Sequence, residues 1–280
     1  MPLRNRLESL ACAARAPGHQ VADWHNVCSW QALRWRAMSR VGSANFKPIE
    51  VGANDRVFVL TGAGISAESD IATFRDAGGL WEKHRVEDVA SPEGWRRDPK
   101  LVWRFYSLRR AQALTVLPNA AHVALAKLEG AIGERLFLCT QNVDPLHERG
   151  GSQRVLHMHG ELMKSRCSDC ARAPFADDKS YPDALPECDR CGGAIRPHIC
   201  WFGEVPFDMD VIGEALRRST VFVTVGSSGA VYPAAGFVRA ARSFGQRTIY
   251  VGPEEPDNAS AFDECRLGTA TEIVPSLFSA

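Results

Sequence analysis

The sequence predicts an α/β fold, a Rossmann-like doubly wound parallel sheet with a small insert domain that is part zinc ribbon and part helical. Three observations predict it. The run Val57-Phe58-Val59-Leu60 is apolar at every position and leads straight into a glycine turn. Four more apolar runs follow downstream, separated by segments with helical periodicity. Two Cys-x-x-Cys pairs stand in a stretch rich in Pro, Gly and Asp. Runs that are apolar throughout mark strands covered on both faces, as in a parallel sheet between helical layers.

The first strand ends in Gly62-Ala63-Gly64-Ile65-Ser66-Ala67, read as a glycine turn and a helix start. Glycines there let backbone N–H groups approach a pyrophosphate, and a helix N-terminus adds partial positive charge. A dehydrogenase-type fingerprint would place an acidic residue about 20 positions on, at the end of a second strand. This chain has Leu80-Trp81-Glu82-Lys83-His84 there, which does not read as a strand end. The pocket implied is therefore for a dinucleotide but is not a standard dehydrogenase pocket. Residues 82–118 read as mostly helical and carry no strand signal, and 101–110 reads as an amphipathic helix. Helical patterns also cover 120–128 and 234–243.

The remaining strands are Leu136-Phe137-Leu138-Cys139-Thr140, Arg154-Val155-Leu156-His157-Met158, Val221-Phe222-Val223-Thr224-Val225 and Thr248-Ile249-Tyr250-Val251. They end in Gln141-Asn142-Val143-Asp144, His159-Gly160, Gly226-Ser227-Ser228 and Gly252-Pro253-Glu254. Ligands of open α/β sheets sit at the carboxyl ends of strands, so these polar clusters predict one shared site. His157, two residues before His159, points to the opposite face of a regular strand and reads as a core or supporting histidine.

Residues 161–204 are irregular, and within them Cys167-Ser-Asp-Cys170 is followed after 17 residues by Cys188-Asp-Arg-Cys191. Two such pairs at this separation predict one Zn²⁺ held by four thiolates. With all four positions filled by sulfur the site is closed, hence structural rather than catalytic. Cys139 and Cys200 read as core thiols. Nine cysteines, an odd number, and no secretory leader point to a reducing cytoplasmic setting. Lys+Arg and Asp+Glu balance at 33 each, so no global charge argues for nucleic acid or a membrane surface. No apolar run approaches the roughly 18–20 residues that span a bilayer. Residues 1–50 hold seven Lys/Arg against three acids, with three tryptophans. They read as an N-terminal extension: either a poorly ordered tail, an upstream start in place of Met38, or a basic targeting segment.

With these pieces assembled the chain resembles the sirtuins, the NAD-dependent protein deacylases. The resemblance covers residues 55–278 and rests on Gly62 to Ser69, Thr73-Phe74-Arg75, Gln141-Asn142-Val143-Asp144 and His157-Met158-His159-Gly160. The four cysteines, Trp201-Phe202-Gly203-Glu204, Gly226-Ser227-Ser228 and Val231-Tyr232-Pro233-Ala234 complete it. It implies a catalytic domain over 51–280, with a Rossmann-like core of 51–81, 119–160 and 205–280. The small domain would come from the inserts 82–118, helical, and 161–204, zinc-binding.

In the family's reaction the acyl-lysine carbonyl oxygen attacks a ribose carbon of NAD as nicotinamide leaves. A histidine acts as general base on a ribose hydroxyl, and water releases lysine and acyl-ADP-ribose. The resemblance assigns the base to His159 and the ordering of water or ribose to Asn142. It assigns NAD binding to Gly62, Ala63, Gly64, Ile65, Ser66, Ala67, Phe74, Arg75, Trp81, Gln141, Asn142, Val143, Asp144, Gly226, Ser227, Ser228, Gly252, Pro253, Glu254 and Ala270. Asp144 would take the carboxamide, Phe74 and Arg75 would cover the leaving nicotinamide, and Ala270 would lie against adenine. Tyr106 and Arg109 share one helix face and match the class that removes succinyl and malonyl as well as acetyl groups. Arg109 would hold the acyl carboxylate. Acyl-lysine proteins are the expected partners of a monomeric, cytoplasmic enzyme that binds neither membrane nor nucleic acid.

The chain also departs from the family pattern. Asp70 and Ala72 stand where Gly and Pro are usual, and Gly252 stands where an Asn contacts ribose. The alternative readings are an NAD hydrolase or ADP-ribosyltransferase using the same pocket, or an NAD-sensing module.

Overall fold

The computed structural model describes residues 46–71, 80–81 and 84–279. The elements that position the site are, in chain order, β1 (Val57–Thr61), α1 (Pro99–Thr115), α2 (Ala120–Ile132), β2 (Leu136–Thr140) and β3 (Val155–His157). There follow β4 (Gly160–Cys167), β5 (Phe175–Ala176), β6 (Ile195–Ile199), α3 (Met209–Arg218), β7 (Val221–Val225), α4 (Phe237–Ser243), β8 (Arg247–Gly252) and β9 (Glu264–Leu267).

The main sheet is six-stranded and wholly parallel, in the order β9-β8-β7-β1-β2-β3. The chain walks outward from β1 through β2 to β3, then returns to the other flank through β7. The strand order therefore reverses between β1 and β7, where a crevice opens at the carboxyl ends. Alternate side chains feed two cores. Val57, Val59, Leu136, Leu138, Val221 and Val223 pack with Leu125 and Leu128 of α2. Phe58, Leu60, Cys139, Phe222 and Tyr250 pack with Ile212 and Leu216 of α3 and Phe237 of α4. Burial on both faces is why these strands read as unbroken apolar runs.

All five predicted strands form, with ends shifted by a residue or so. The sixth, β9, was not legible. It reads Glu264-Cys265-Arg266-Leu267, and its Arg266 is buried by a bond from Nε to Glu264 (2.8 Å) and by the Phe46 ring. An edge strand neutralised in this way has no apolar signature. The expected helix after the glycine turn is replaced by two single 3₁₀ turns, Ala63–Ile65 and Ala67–Ser69. Asp70 ends the second with φ +60°, a left-handed conformation that stops helical propagation. In the 82–118 stretch, Val86–Val89 and Pro92–Arg97 precede α1. Contrary to expectation it also holds half of an antiparallel pair, Leu80–Trp81 with His84–Arg85. The stretch read as irregular forms an antiparallel sheet, β5-β4-β6. The expected boundary at residue 50 falls within ordered structure. Ile49–Glu50 pairs with Phe278–Ser279, and Ile49 lies in the first core.

α1 starts on Asp98, whose carboxylate accepts from Leu101 N (2.9 Å), with Pro99 in the first turn. It is not simply amphipathic. Val102, Phe105 and Tyr106 pack with Leu162, Ile199 and Trp201, while Trp103 packs with Cys167, Cys188 and Ile195. Arg110 pins this helix to the antiparallel sheet. It is 1% exposed and donates to the Leu162 carbonyl (2.8 Å), the Lys179 carbonyl (2.7 Å), Ser165 Oγ (3.0 Å) and Asp177 (3.3 Å). Arg110→Ala would strand Asp177 in the interior, and losing one partner of a buried pair costs about 3–5 kcal/mol. Chemical denaturation should report that loss; a variant within 1 kcal/mol or so of the parent would refute the pinning role.

Candidate functional site

Three loops meet at the switch point. Gly62 N donates to the Val225 carbonyl (2.9 Å), and Gly64 N donates to the Gly226 carbonyl (2.8 Å). A Cβ on Gly62 would lie 2.9 Å from that carbonyl oxygen, and one on Gly64 would lie 2.7 Å from Gly226 Cα. The β1 and β7 loops thus touch backbone to backbone, and no side chain fits between them. The contact leaves a backbone surface free of side chains at the carboxyl ends of β1 and β7. Gln141 N donates to the Thr61 carbonyl (2.9 Å), and its Nε2 donates to Ser227 Oγ (2.9 Å), which brings in the β2 loop.

Beyond Gln141 a buried polar network forms. Asn142 Nδ2 donates to Ser66 Oγ (3.0 Å), and that hydroxyl donates to Asp144 (3.2 Å). Asp144 also accepts from Leu146 N (3.1 Å), yet burial still pushes its carboxyl pKa upward. His122 lies beneath. Its Nδ1 lies 3.2 Å from Asn119 N and 3.0 Å from Asn119 Oδ1, and its Nε2 lies 3.4 Å from Ser66 Oγ. Burial lowers its pKa to about 4, which keeps the ring neutral. His147 Nε2 bonds Thr61 Oγ1 (2.9 Å), which donates to Thr140 Oγ1 (2.8 Å). Burial also drives the His147 pKa well down. Sequence reasoning did not assign His122 or His147. The signal for His122 was Asn119-x-x-His122 at the head of α2, a capping box in which histidine takes the usual Glu place.

His159 follows β3, and its Nδ1 donates to the Gln141 carbonyl (3.1 Å). A carbonyl only accepts, so Nδ1 carries the hydrogen and Nε2 keeps its lone pair. Burial lowers the His159 pKa, which favours the neutral ring. Gly160 is obligatory beside it: φ is +88°, and a Cβ would overlap the His198 carbonyl.

Tyr106 and Arg109 are both buried on α1. The Tyr106 hydroxyl accepts from Trp201 Nε1 (3.1 Å). Arg109 donates to Gln112 Oε1 (3.1 Å), and Gln112 Nε2 donates to the Asp70 carbonyl (3.3 Å) where the cofactor loop begins. The Arg109 charge also acts on Asp144. Arg109 is thus linked through Gln112 to the end of the glycine loop and acts electrostatically on Asp144, while Tyr106 packs toward Trp201.

The other predicted residues divide. Gly252 joins the assembly, accepting from Gly268 N (2.9 Å), while Pro253 and Glu254 are exposed beyond it. A Cβ at Gly252 would overlap the Tyr250 hydroxyl, so any larger residue there requires the Tyr250 ring to move. Ala270 is 4% exposed and packs in the first core. Beside it, Thr271 N donates to Glu68 (3.0 Å), which ties its helix to the glycine loop. Phe74, Arg75 and Ala72, with the Trp81 side chain, lie outside the described residues. A cavity of about 940 Å³ lies elsewhere, between β3 and the antiparallel sheet, and the glycine loops do not line it.

The four cysteines form one cluster, with all sulfurs within 4.8 Å of one another. Cys167 Sγ and Cys191 Sγ are 3.5 Å apart, and Cys170 Sγ and Cys188 Sγ are 3.9 Å apart. A tetrahedral ion at about 2.3 Å from each sulfur separates the sulfurs by about 3.8 Å, so the donor set and its spacing fit zinc. Cys139 is fully buried and Cys200 half-buried, and burial raises both thiol pKa values, that of Cys200 to about 11.

The profile described as Sir2 family matches residues 62–233. An NAD-dependent protein deacylase of Yersinia pseudotuberculosis is 52% identical over 257 residues, 90% of this chain and 92% of that protein. One of Salmonella typhimurium is 49% identical over 245 residues, 87% of this chain and 90% of that protein. Among solved structures, a Sir2 homolog–NAD complex superposes with a TM-score of 0.73 at 38% identity, covering 80% of this chain and 89% of that one. Sir2 bound to acetylated peptide gives 0.68 at 28% identity, covering 78% and 89%.

Proposed function

The chain belongs to the Sir2 family, and from that premise we propose what its residues do as an NAD-dependent protein deacylase. NAD, when bound, supplies the electrophilic ribose carbon and the leaving nicotinamide. The touching glycine loops bind its pyrophosphate. Ser66, Asn142 and Asp144 hold the nicotinamide side in one orientation, with Asn142 ordering water or ribose. Phe74, Arg75 and Trp81 cover that pocket, Glu254 reaches the adenosine ribose, and Ala270 leaves room for adenine. His159 Nε2 takes the ribose hydroxyl proton. The observation that supports this reading most is the His159 Nδ1 bond to the Gln141 carbonyl, which leaves Nε2 with its lone pair beside the loop of Asn142 and Asp144.

The acyl groups proposed are acetyl and the short acidic succinyl and malonyl. A buried guanidinium one helical turn from a buried phenol supports this, since a carboxylate desolvated there needs a fixed charge partner. Mass-spectrometric turnover of matched acetyl-lysine and succinyl-lysine peptides, with and without NAD, tests it. Arg109→Met should lower desuccinylation about 30–150-fold, the value of one buried charge-assisted pair, and spare deacetylation. Equal losses on both peptides would refute the acidic-acyl assignment. NAD consumption without deacylation would favour the NAD hydrolase or ADP-ribosyltransferase.

The division into a Rossmann-like core and a small domain built from the two inserts is proposed with this reading. So are a cytoplasmic setting, supported by a thiolate site that needs reducing conditions, a monomeric state, and no direct nucleic-acid binding, supported by the balanced charge. Among the described residues no helix is long and apolar enough to cross a membrane.

A further inference from the structure

His157 and His159 grip two successive carbonyls. His159 Nδ1 donates to Gln141 O at 3.1 Å, and His157 Nδ1 lies 3.0 Å from Asn142 O. The far nitrogen of His157 lies 2.7 Å from Glu148 Oε1, on the short helix Leu146–Arg149 that follows the same loop. The His157 side chain is 6% exposed. Both its ring nitrogens therefore face acceptors, the carbonyl side buried and the Glu148 side half-exposed at the rim of the cavity between β3 and the antiparallel sheet. Only the doubly protonated ring satisfies both; a neutral ring leaves either the carbonyl or the carboxylate without its hydrogen.

We propose that protonated His157 is a positioning residue for the deacylation reaction: clamped by Glu148, it holds the Asn142 carbonyl and thereby sets the 141–144 loop against His159. The proposal rests on the deacylase reading and adds a residue to it. Asn142 is the pivot, because its side chain bonds Ser66 Oγ while its carbonyl is held by His157. A loop freed at that carbonyl changes the distance from the nicotinamide side to His159 Nε2.

The charged and titratable neighbours that act on His157 agree. Glu148 and the more distant Glu161 of β4 favour its protonation. Asp144 interacts with it across the loop. His147 is neutral, and Lys164 acts on Glu148 from β4. Desolvation opposes the charge, but the Glu148 pair and the Asn142 carbonyl outweigh it, and the His157 pKa is raised. The His159 pKa is lowered. The pKa values of two histidines two residues apart are thus shifted in opposite directions, which sets an acid and an alkaline limb. As pH falls His159 gains a proton and loses its basicity; as pH rises His157 loses a proton and one of its two bonds.

The test is the pH profile of kcat with an acetyl-lysine peptide at saturating NAD, beside ¹⁵N-histidine NMR of the whole chain. The parent should show both limbs. Glu148→Gln should move the alkaline limb to lower pH and leave the acid limb in place. His157→Leu should abolish the alkaline limb and lower kcat about tenfold, the low end of one hydrogen bond to a charged group. His157→Gln keeps an amide donor that does not titrate, so it should recover part of the rate with no alkaline limb. A merely structural histidine would change the amount of folded protein and leave these limbs alone. An alkaline limb unmoved in all three variants overturns the proposal. So does NMR showing His157 neutral where His159 is neutral and the parent is most active. If the leucine variant does not fold, Glu148→Gln and the NMR titration decide. If the parent turns over no acyl peptide, the deacylase reading fails, and the NMR titration still answers whether His157 holds its second proton.

Discussion

Replacing His159 with alanine is expected to lower deacylase turnover about 10²–10⁴-fold, the usual share of a positioned general base. The fold should survive. His159 is half-buried, and its Nδ1 bonds the Gln141 carbonyl. The cysteine cluster and the glycine loops do not depend on its ring, so zinc content and NAD binding should stay near parental values. The pH dependence carries a sign. A base works unprotonated, so activity should rise with pH through a point below the ordinary histidine value, because burial lowers the His159 pKa. Turnover within about threefold of the parent would remove His159 from the chemistry; loss of NAD binding in step with turnover would recast it as a pocket-forming residue.

Removal of the metal is expected to have the largest effect on stability. A structural four-thiolate zinc site has an apparent binding energy of about 10–16 kcal/mol, much of which is folding energy. In this chain Cys167 and Cys188 pack with Trp103 of α1 and Ile195 of β6, so the cluster is part of a core. Cys188→Ala should release the ion and cost at least about 4 kcal/mol, a Tm drop of roughly 8–16 °C. The damage should also reach catalysis. β4 runs from Gly160, next to His159, to Cys167, and Cys200 N donates to the His159 carbonyl (2.8 Å). Metal analysis and calorimetry on the parent and the variant check this. A zinc-free variant with parental Tm and activity would show that the four sulfurs serve no structural purpose.

Local pattern was enough for much of the molecule. Strands buried on both faces announce themselves as apolar runs, so β1, β2, β3, β7 and β8 were legible. Two Cys-x-x-Cys pairs state their chemistry through spacing, and the sulfurs do converge. Polar clusters after strands that end on one side of a sheet must share a crevice, and three of them do meet there.

Long-range contacts decided the rest. β9 is a strand because β8 offers it an edge, and its buried arginine is neutralised by its own neighbour Glu264. The glycine turn stops in 3₁₀ turns because Asp70 takes a left-handed conformation there. At Gly252 a Cβ would meet the Tyr250 hydroxyl, a packing constraint between positions two apart that the sequence alone does not show. Likewise the sequence placed two histidines two residues apart, but it could not say that one faces a single carbonyl while the other spans a carbonyl and a carboxylate. The sequence by itself determined which chemistry is present, because residue type and spacing are local. The tertiary structure decided protonation and orientation, because these depend on burial and on partners brought together from distant parts of the chain.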